Sequence, residues 1–172
     1  FMDRAEYIQG QLLFERAKAR GFSTMLVTAK EKLTRLLDKG LDHCVDATSS
    51  PAELAARLGE APSIYSAEIA PWVLEAAKLL VEEIAPDLVY IATTDYMEHA
   101  HPREAPEMRE QACKMDALIG EIVSLFDLSQ TLVAVAADHG MNEKSKAISI
   151  PNVLGRTGIR ARAIPAIKDG LY

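Results

Sequence analysis

Thr131-Leu-Val-Ala-Val-Ala-Ala-Asp138-His139-Gly140-Met141 is an apolar run that closes abruptly on an acid and an imidazole. A short continuous apolar segment bounded by polar turn residues reads as a strand buried on both faces, as in a parallel sheet covered by helices. Asp138 and His139 then stand at the strand's carboxyl end, the edge of an open α/β sheet where ligands bind. A loop beginning at Gly140 lets both side chains turn toward one ion, with carboxylate oxygen and imidazole nitrogen acting together. The bland alternative for so short a motif is a capping acid beside an incidental histidine.

A second strand end repeats the pattern. Asp87-Leu-Val-Tyr-Ile-Ala-Thr-Thr-Asp95 is another apolar run ending on an acid, and His99 follows four residues later. Positions i and i+4 share a face of a helical turn, so Asp95 and His99 are placed to grip one cation. Carboxylate with imidazole suits zinc better than manganese or iron, and two such pairs facing one crevice point to a binuclear site. His101 projects to another side and reads as a surface residue, and His43 as structural or exposed.

Working outward, residues 5–20 place Ile8, Leu12, Leu13 and Ala17 on one face of a helix that stops at Gly21. Thr24 to Val27 is a short buried strand, and a capping box at Thr28-Ala-Lys-Glu31 starts a helix directly after it, running to Gly40. His43 to Asp46 is a short strand. Pro51 to Gly59 is a short helix with proline at its start and glycine past its end. Ile69, Trp72, Val73, Ala76, Leu80 and Ile84 mark a long amphipathic helix that Pro86 ends. Met108, Ala112, Met115, Ile119, Ile122 and Phe126 mark another, with Trp72 and Met108 both in the core. The expected fold class is α/β, a mostly parallel sheet with strands near 24–28, 87–93 and 131–137. Helices near 68–85 and 104–127 cover its faces, joined by right-handed crossovers. Residues 148–154 form a short element, and 159–167 a last strand.

Lys30 and Lys32 fall in the first turn of their helix, where the macrodipole disfavours cations by a few tenths of a kcal/mol. A local rule broken at a strand's carboxyl end is the kind of inconsistency a functional site produces, here one receiving an anionic substrate. The alternative is two solvated lysines on a surface helix.

At 172 residues, 49% hydrophobic and 26% charged, the chain has the composition of one globular domain spanning residues 1–172. A net charge of -6 with dispersed basic residues gives no nucleic-acid footprint. Cys44 and Cys113 lack ligand spacing and are expected as buried thiols in a reducing compartment, the cytoplasm. No apolar run reaches the roughly 18 residues of a membrane span, and no leader pattern precedes the first helix, so no membrane partner is expected.

Thr93-Thr-Asp95-Tyr-Met-Glu-His99 together with Ala137-Asp138-His139-Gly140-Met141 resembles the metal-binding pair of the alkaline phosphatase superfamily, in its nucleotide pyrophosphatase/phosphodiesterase branch. Further segments extend the likeness: Met2-Asp3-Arg4, Val27-Thr-Ala-Lys30-Glu-Lys32-Leu, Lys39-Gly-Leu, Ile64-Tyr-Ser-Ala, Pro86-Asp87-Leu and Asp138-His-Gly-Met-Asn142. Together these resemble the phosphonoacetate-hydrolysing subfamily of that branch, the lysine stretch being far more specific than Asp-His-Gly.

The resemblance implies an alkaline phosphatase-like fold binding two zinc ions, one on Asp95 and His99 and the other on Asp138 and His139. It assigns Lys30 and Lys32 to a small phosphonate substrate. The implied reaction cleaves the carbon–phosphorus bond of phosphonoacetate to acetate and phosphate, with the lysines offsetting charge on the leaving enolate. The family's nucleophilic threonine and an Asp ligand are expected upstream of residue 1, and its last His ligand is not found after His139. The chain thus matches the middle of a catalytic domain. Taken alone it is expected to be weakly active or inactive, since each ion keeps two protein ligands where catalytic zinc usually has three. An unpaired apolar sheet edge also favours a homodimer. Two rival readings keep the fold: a phosphodiesterase acting on phosphate diesters, and a non-catalytic α/β binding module that needs no metal.

Overall fold

In the computed structural model, residues 5–141, 146 and 148–162 are described. Strand β1 (Thr24–Thr28) is buried along its whole length. It lies between β2 (His43–Asp46) and β3 (Leu88–Ala92) in a three-stranded sheet of order β2-β1-β3, with both pairings parallel. This is why its sequence is continuously apolar rather than alternating. Successive side chains leave on opposite faces. Met25 and Val27 enter the main core, while Leu26, in register with Tyr90, points to the other face. There α1 (Leu13–Lys18) contributes Phe14, whose ring centroid lies 6.5 Å from that of Tyr90.

The main core forms where α4 (Ile69–Ile84) lies across β1 and β3, burying Ile69, Trp72, Val73, Ala76, Ala77 and Val81. Each such side chain, fully buried, contributes on the order of 1.5–3 kcal/mol if it is valine size or larger. The helix ends at Ala85, which adopts a left-handed conformation (φ 46°). Pro86 accounts for the helix stopping there, because the residue before a proline is disfavoured in the right-handed helical region. α3 (Ala52–Leu58) packs against α4, and α6 (Pro106–Val123) covers its outer side. The fold class is therefore α/β as expected, a parallel sheet with helices on both faces.

The structure departs from the sequence expectations at several places. No strand forms over 131–137: the segment carries no ladder, and Leu132 is 93% and Val135 77% exposed. Apolar, β-branched residues supply strand propensity, but a strand exists only where a neighbouring edge accepts its backbone groups. α1 is shorter than 5–20 and buries Phe14 and Ala17, leaving Leu13 exposed. Gly10 at φ +94° breaks the helix before it, and a single 3-10 turn, Ala5–Tyr7, stands upstream. α6 lies on α4 and α5 (Tyr96–Ala100) as an outer layer. Its buried residues are Gln111 and Ile122, with Met115, Leu118, Ile119 and Phe126 half-buried against the core; Met108 is half-buried and Ala112 exposed. Gln111 is accommodated because its Nε2 donates to the Ala67 carbonyl at 2.9 Å.

Both cysteines are exposed, not buried. β2 is an edge strand whose first half is uncovered, and Cys113 sits on the outer face of α6. α7 (Ile150–Arg156) realises the element expected at 148–154. Residues 159–162 form no strand, and the rest of 159–167 lies outside the described residues, as do Met2 to Arg4 and Asn142. Among the described residues no helix is long and apolar enough to cross a membrane.

Asp46, only 5% exposed, closes β2. Its Oδ1 accepts from the Thr48 N–H (2.9 Å), the Thr48 hydroxyl (2.6 Å) and the Ser49 N–H (3.0 Å), and its Oδ2 from the Ser49 hydroxyl (2.6 Å). Burial opposes ionisation, but the Ser49 and Thr48 bonds outweigh it and hold the carboxyl below its usual range. A depressed folded-state pKa contributes stability above the unfolded value of about 3.9, lost as pH falls through the folded value. Asp46→Asn should cost about 1–2 kcal/mol at pH 7. In urea titrations the gap between wild type and D46N should close below about pH 4; a gap that persists in acid would refute this account.

Candidate metal centre

The ladder between β1 and β3 brings two sequence-distant residues to one edge. Thr28 is in register with Ala92, and the Ala29 N–H extends the pairing by donating to the Ala92 carbonyl at 3.1 Å. The expected capping box does not form, because Thr28 is held in β1: its carbonyl accepts from the Ala47 N–H at 3.0 Å. The helix, α2 (Glu31–Leu36), begins later. Lys30 takes the cap position in extended geometry (φ -121°, ψ 116°), its N–H donating to Thr28 Oγ1 at 3.2 Å.

Asp95 occupies the equivalent place after β3, at the start of α5. The His99 N–H donates to the Asp95 carbonyl at 3.2 Å, closing one helical turn, so the two side chains meet with His99 Nε2 3.2 Å from Asp95 Oδ2. The other carboxylate oxygen, Oδ1, is buried, makes no hydrogen bond and lies 3.7 Å from Lys30 Nζ. Burial opposes the charge on Asp95, but its own backbone N–H, the Lys30 ammonium and His99 together set the carboxyl below its usual range. Asp95, His99 and Lys30 are thus brought together. Lys32 is exposed on α2.

Asp138 and His139 form the second pair, largely exposed, with Nε2 3.5 Å from Oδ2. His139 Nδ1 lies 3.1 Å from the Gly140 carbonyl. A carbonyl only accepts, so a hydrogen bond at this contact has Nδ1 as its donor, and the partner it gives the ring is of the kind that orients a metal-ligating histidine. Among the described residues no three of His, Cys, Asp and Glu are grouped about one point.

These donors fit zinc in kind. Two ligands at about 2.0 and 2.1 Å on a tetrahedral ion stand about 3.3 Å apart, close to the Asp95–His99 spacing of 3.2 Å. The hydrogen-bond vacancy of the buried Asp95 Oδ1 is what a carboxylate awaiting a cation presents. His101 caps α5 through its backbone N–H to the Met97 carbonyl (3.0 Å), and His43 is exposed on β2. Sequence reasoning missed the Asp46 turn beside this edge, although Asp-Ala-Thr-Ser carries an Asx-turn signal.

Residues 21–169 match the model of the type I phosphodiesterase/nucleotide pyrophosphatase family. The fold is similar to crystal structures of phosphonoacetate hydrolase from Sinorhizobium meliloti 1021. In complex with phosphonoformate the TM-score is 0.76 at 28% identity, and in complex with phosphonoacetate 0.76 at 29%. Each superposition covers 91% of this chain and 42% of the solved one, so the chain spans less than half the length of these relatives.

Proposed function

Because the chain belongs to the type I phosphodiesterase/nucleotide pyrophosphatase family, we propose that it is part of a zinc hydrolase cleaving the carbon–phosphorus bond of phosphonoacetate. Water is consumed, and acetate and phosphate are released. One observation supports the reading: Lys30 Nζ stands 3.7 Å from Asp95 Oδ1, so the lysine read as binding substrate and the carboxylate read as a metal ligand lie at one sheet edge. The likeness to phosphonoacetate hydrolase across 91% of the chain supports it.

In this reading Asp95 with His99, and Asp138 with His139, hold two zinc ions. When bound, the ions polarise the phosphonyl oxygens and lower the pKa of the attacking nucleophile. Lys30 and Lys32 bind the substrate's anionic groups and offset the charge that develops on the departing enolate. A phosphate diester has no carboxylate to meet them, which is how the lysines distinguish substrates. Unpaired thiols at Cys44 and Cys113 accord with a cytoplasmic setting.

The family match itself favours a second reading, hydrolysis of phosphate diesters. The two are separated by measuring zinc content together with phosphate release from phosphonoacetate and turnover of an aryl phosphonate diester. Phosphate release from phosphonoacetate with zinc bound is the expected result. Turnover of the diester alone would transfer the assignment to the second reading, and a zinc-free protein inert to both would leave a binding module. Taken alone, with two protein donors for each ion, the chain is expected to turn over slowly.

A further inference from the structure

We propose that Lys30 is a placeholder cation at the Asp95–His99 half-site, which a metal ion displaces toward the anionic substrate, so that metal and anion binding reinforce each other. The proposal rests on reading Asp95 and His99 as metal donors. Its ground is the asymmetry of the Asp95 carboxylate. Oδ2 faces the His99 imidazole, whereas Oδ1 is buried, makes no hydrogen bond and has the Lys30 ammonium 3.7 Å away. That distance exceeds a hydrogen bond, so the tie is coulombic and leaves the oxygen's lone pairs open to a better cation.

A divalent ion on Asp95 supplies the counter-charge that Lys30 now supplies, and repels the ammonium. Lys30 is free to respond. Its side chain is 43% exposed and carries a flexible four-carbon stem, so the head can swing without uncovering the core. An anion arriving at the same edge then takes up the released ammonium. By linkage the anion must tighten metal binding by the same factor that the metal tightens anion binding. Among the described residues Lys32 has no ion-pair partner, and it should contribute to anion binding without competing for the metal site.

The test measures zinc binding to the protein at free zinc fixed by a metal buffer, with and without phosphonoacetate. Lys30→Met should bind zinc about twofold to fivefold more tightly than wild type without the anion, the range expected for one partly exposed ion pair. Without the anion, Lys30→Arg and Lys32→Met should match wild type in zinc affinity, whereas K32M should weaken the binding of phosphonoacetate itself. The enhancement of zinc binding by phosphonoacetate should be smaller in K30M than in wild type by the same factor, closing the cycle. Zinc affinity in K30M equal to or weaker than wild type would overturn the proposal, and so would an unchanged anion enhancement. If zinc binds none of the proteins, the placeholder role and the metal reading fall together. If K30M tightens zinc but phosphonoacetate is not cleaved, the placeholder stands and only the assigned reaction fails.

Discussion

Asp95→Asn is expected to weaken zinc binding by more than about a hundredfold while leaving the fold intact. Removing a partner that merely orients a ligand costs about 10–100-fold in affinity, so removing the ligand's charge should cost at least the upper end. The neutral amide also leaves the Lys30 ammonium, 3.7 Å from this side chain, without its counter-ion and facing any incoming cation. Stability should change by about 1 kcal/mol or less, because both members of the Lys30–Asp95 pair are more than two-fifths exposed. Phosphonoacetate turnover should fall with the zinc, and Asp138→Asn should repeat the loss at the second pair. Equilibrium dialysis of zinc with a parallel urea titration separates the two effects. Wild-type zinc affinity in D95N would remove Asp95 from the site.

That Asp95 and His99 belong together was legible in the sequence because the signal is local: four residues across one helical turn. Their meeting with Lys30 was legible only in part. The Thr-Ala-Lys-Glu stretch pointed to a helix starting at once, but Thr28 is claimed on both sides by β-ladder bonds, to Ala47 and in register with Ala92. Long-range pairing overrode a local cap, and this is what turns Lys30 toward β3. The same limit explains residues 131–137. Their composition states a strand propensity, yet pairing depends on an edge elsewhere in space, and the described residues give that segment no ladder. α4 was readable throughout because one period over sixteen residues fixes which face is buried. α6 was readable as a helix and in most of its facing, with Ile122 in the core and Met115, Ile119 and Phe126 against it, but Ala112 is exposed and Gln111 is buried by a bond to Ala67 that no periodicity reveals.

Gly40→Ala should destabilise the protein by about 3–5 kcal/mol, combining a left-handed backbone with steric overlap. Gly40 has φ +86°, and a Cβ there would lie 2.5 Å from Glu15 N, 2.6 Å from Phe14 C and 2.7 Å from Glu15 Cα. These are backbone atoms of α1, so no side-chain rotation relieves the overlap. α1 cannot retreat cheaply either. Phe14 is buried against Tyr90 on the second face of the sheet, and Glu15 accepts the Leu12 N–H at 2.7 Å at the helix start. The turn itself is tied to the central strand, because the Gly40 carbonyl accepts from Thr24 Oγ1 at 2.6 Å. Gly21 supplies the control. It has nearly the same φ, +82°, with nothing within 4 Å of where a methyl group would sit, so Gly21→Ala should cost only about 1–2 kcal/mol of backbone strain. Urea midpoints for the two variants should therefore differ by more than the shared conformational cost. Equal midpoints would mean that α1 is not seated on the turn, and that the second face of the sheet is covered by something other than Phe14.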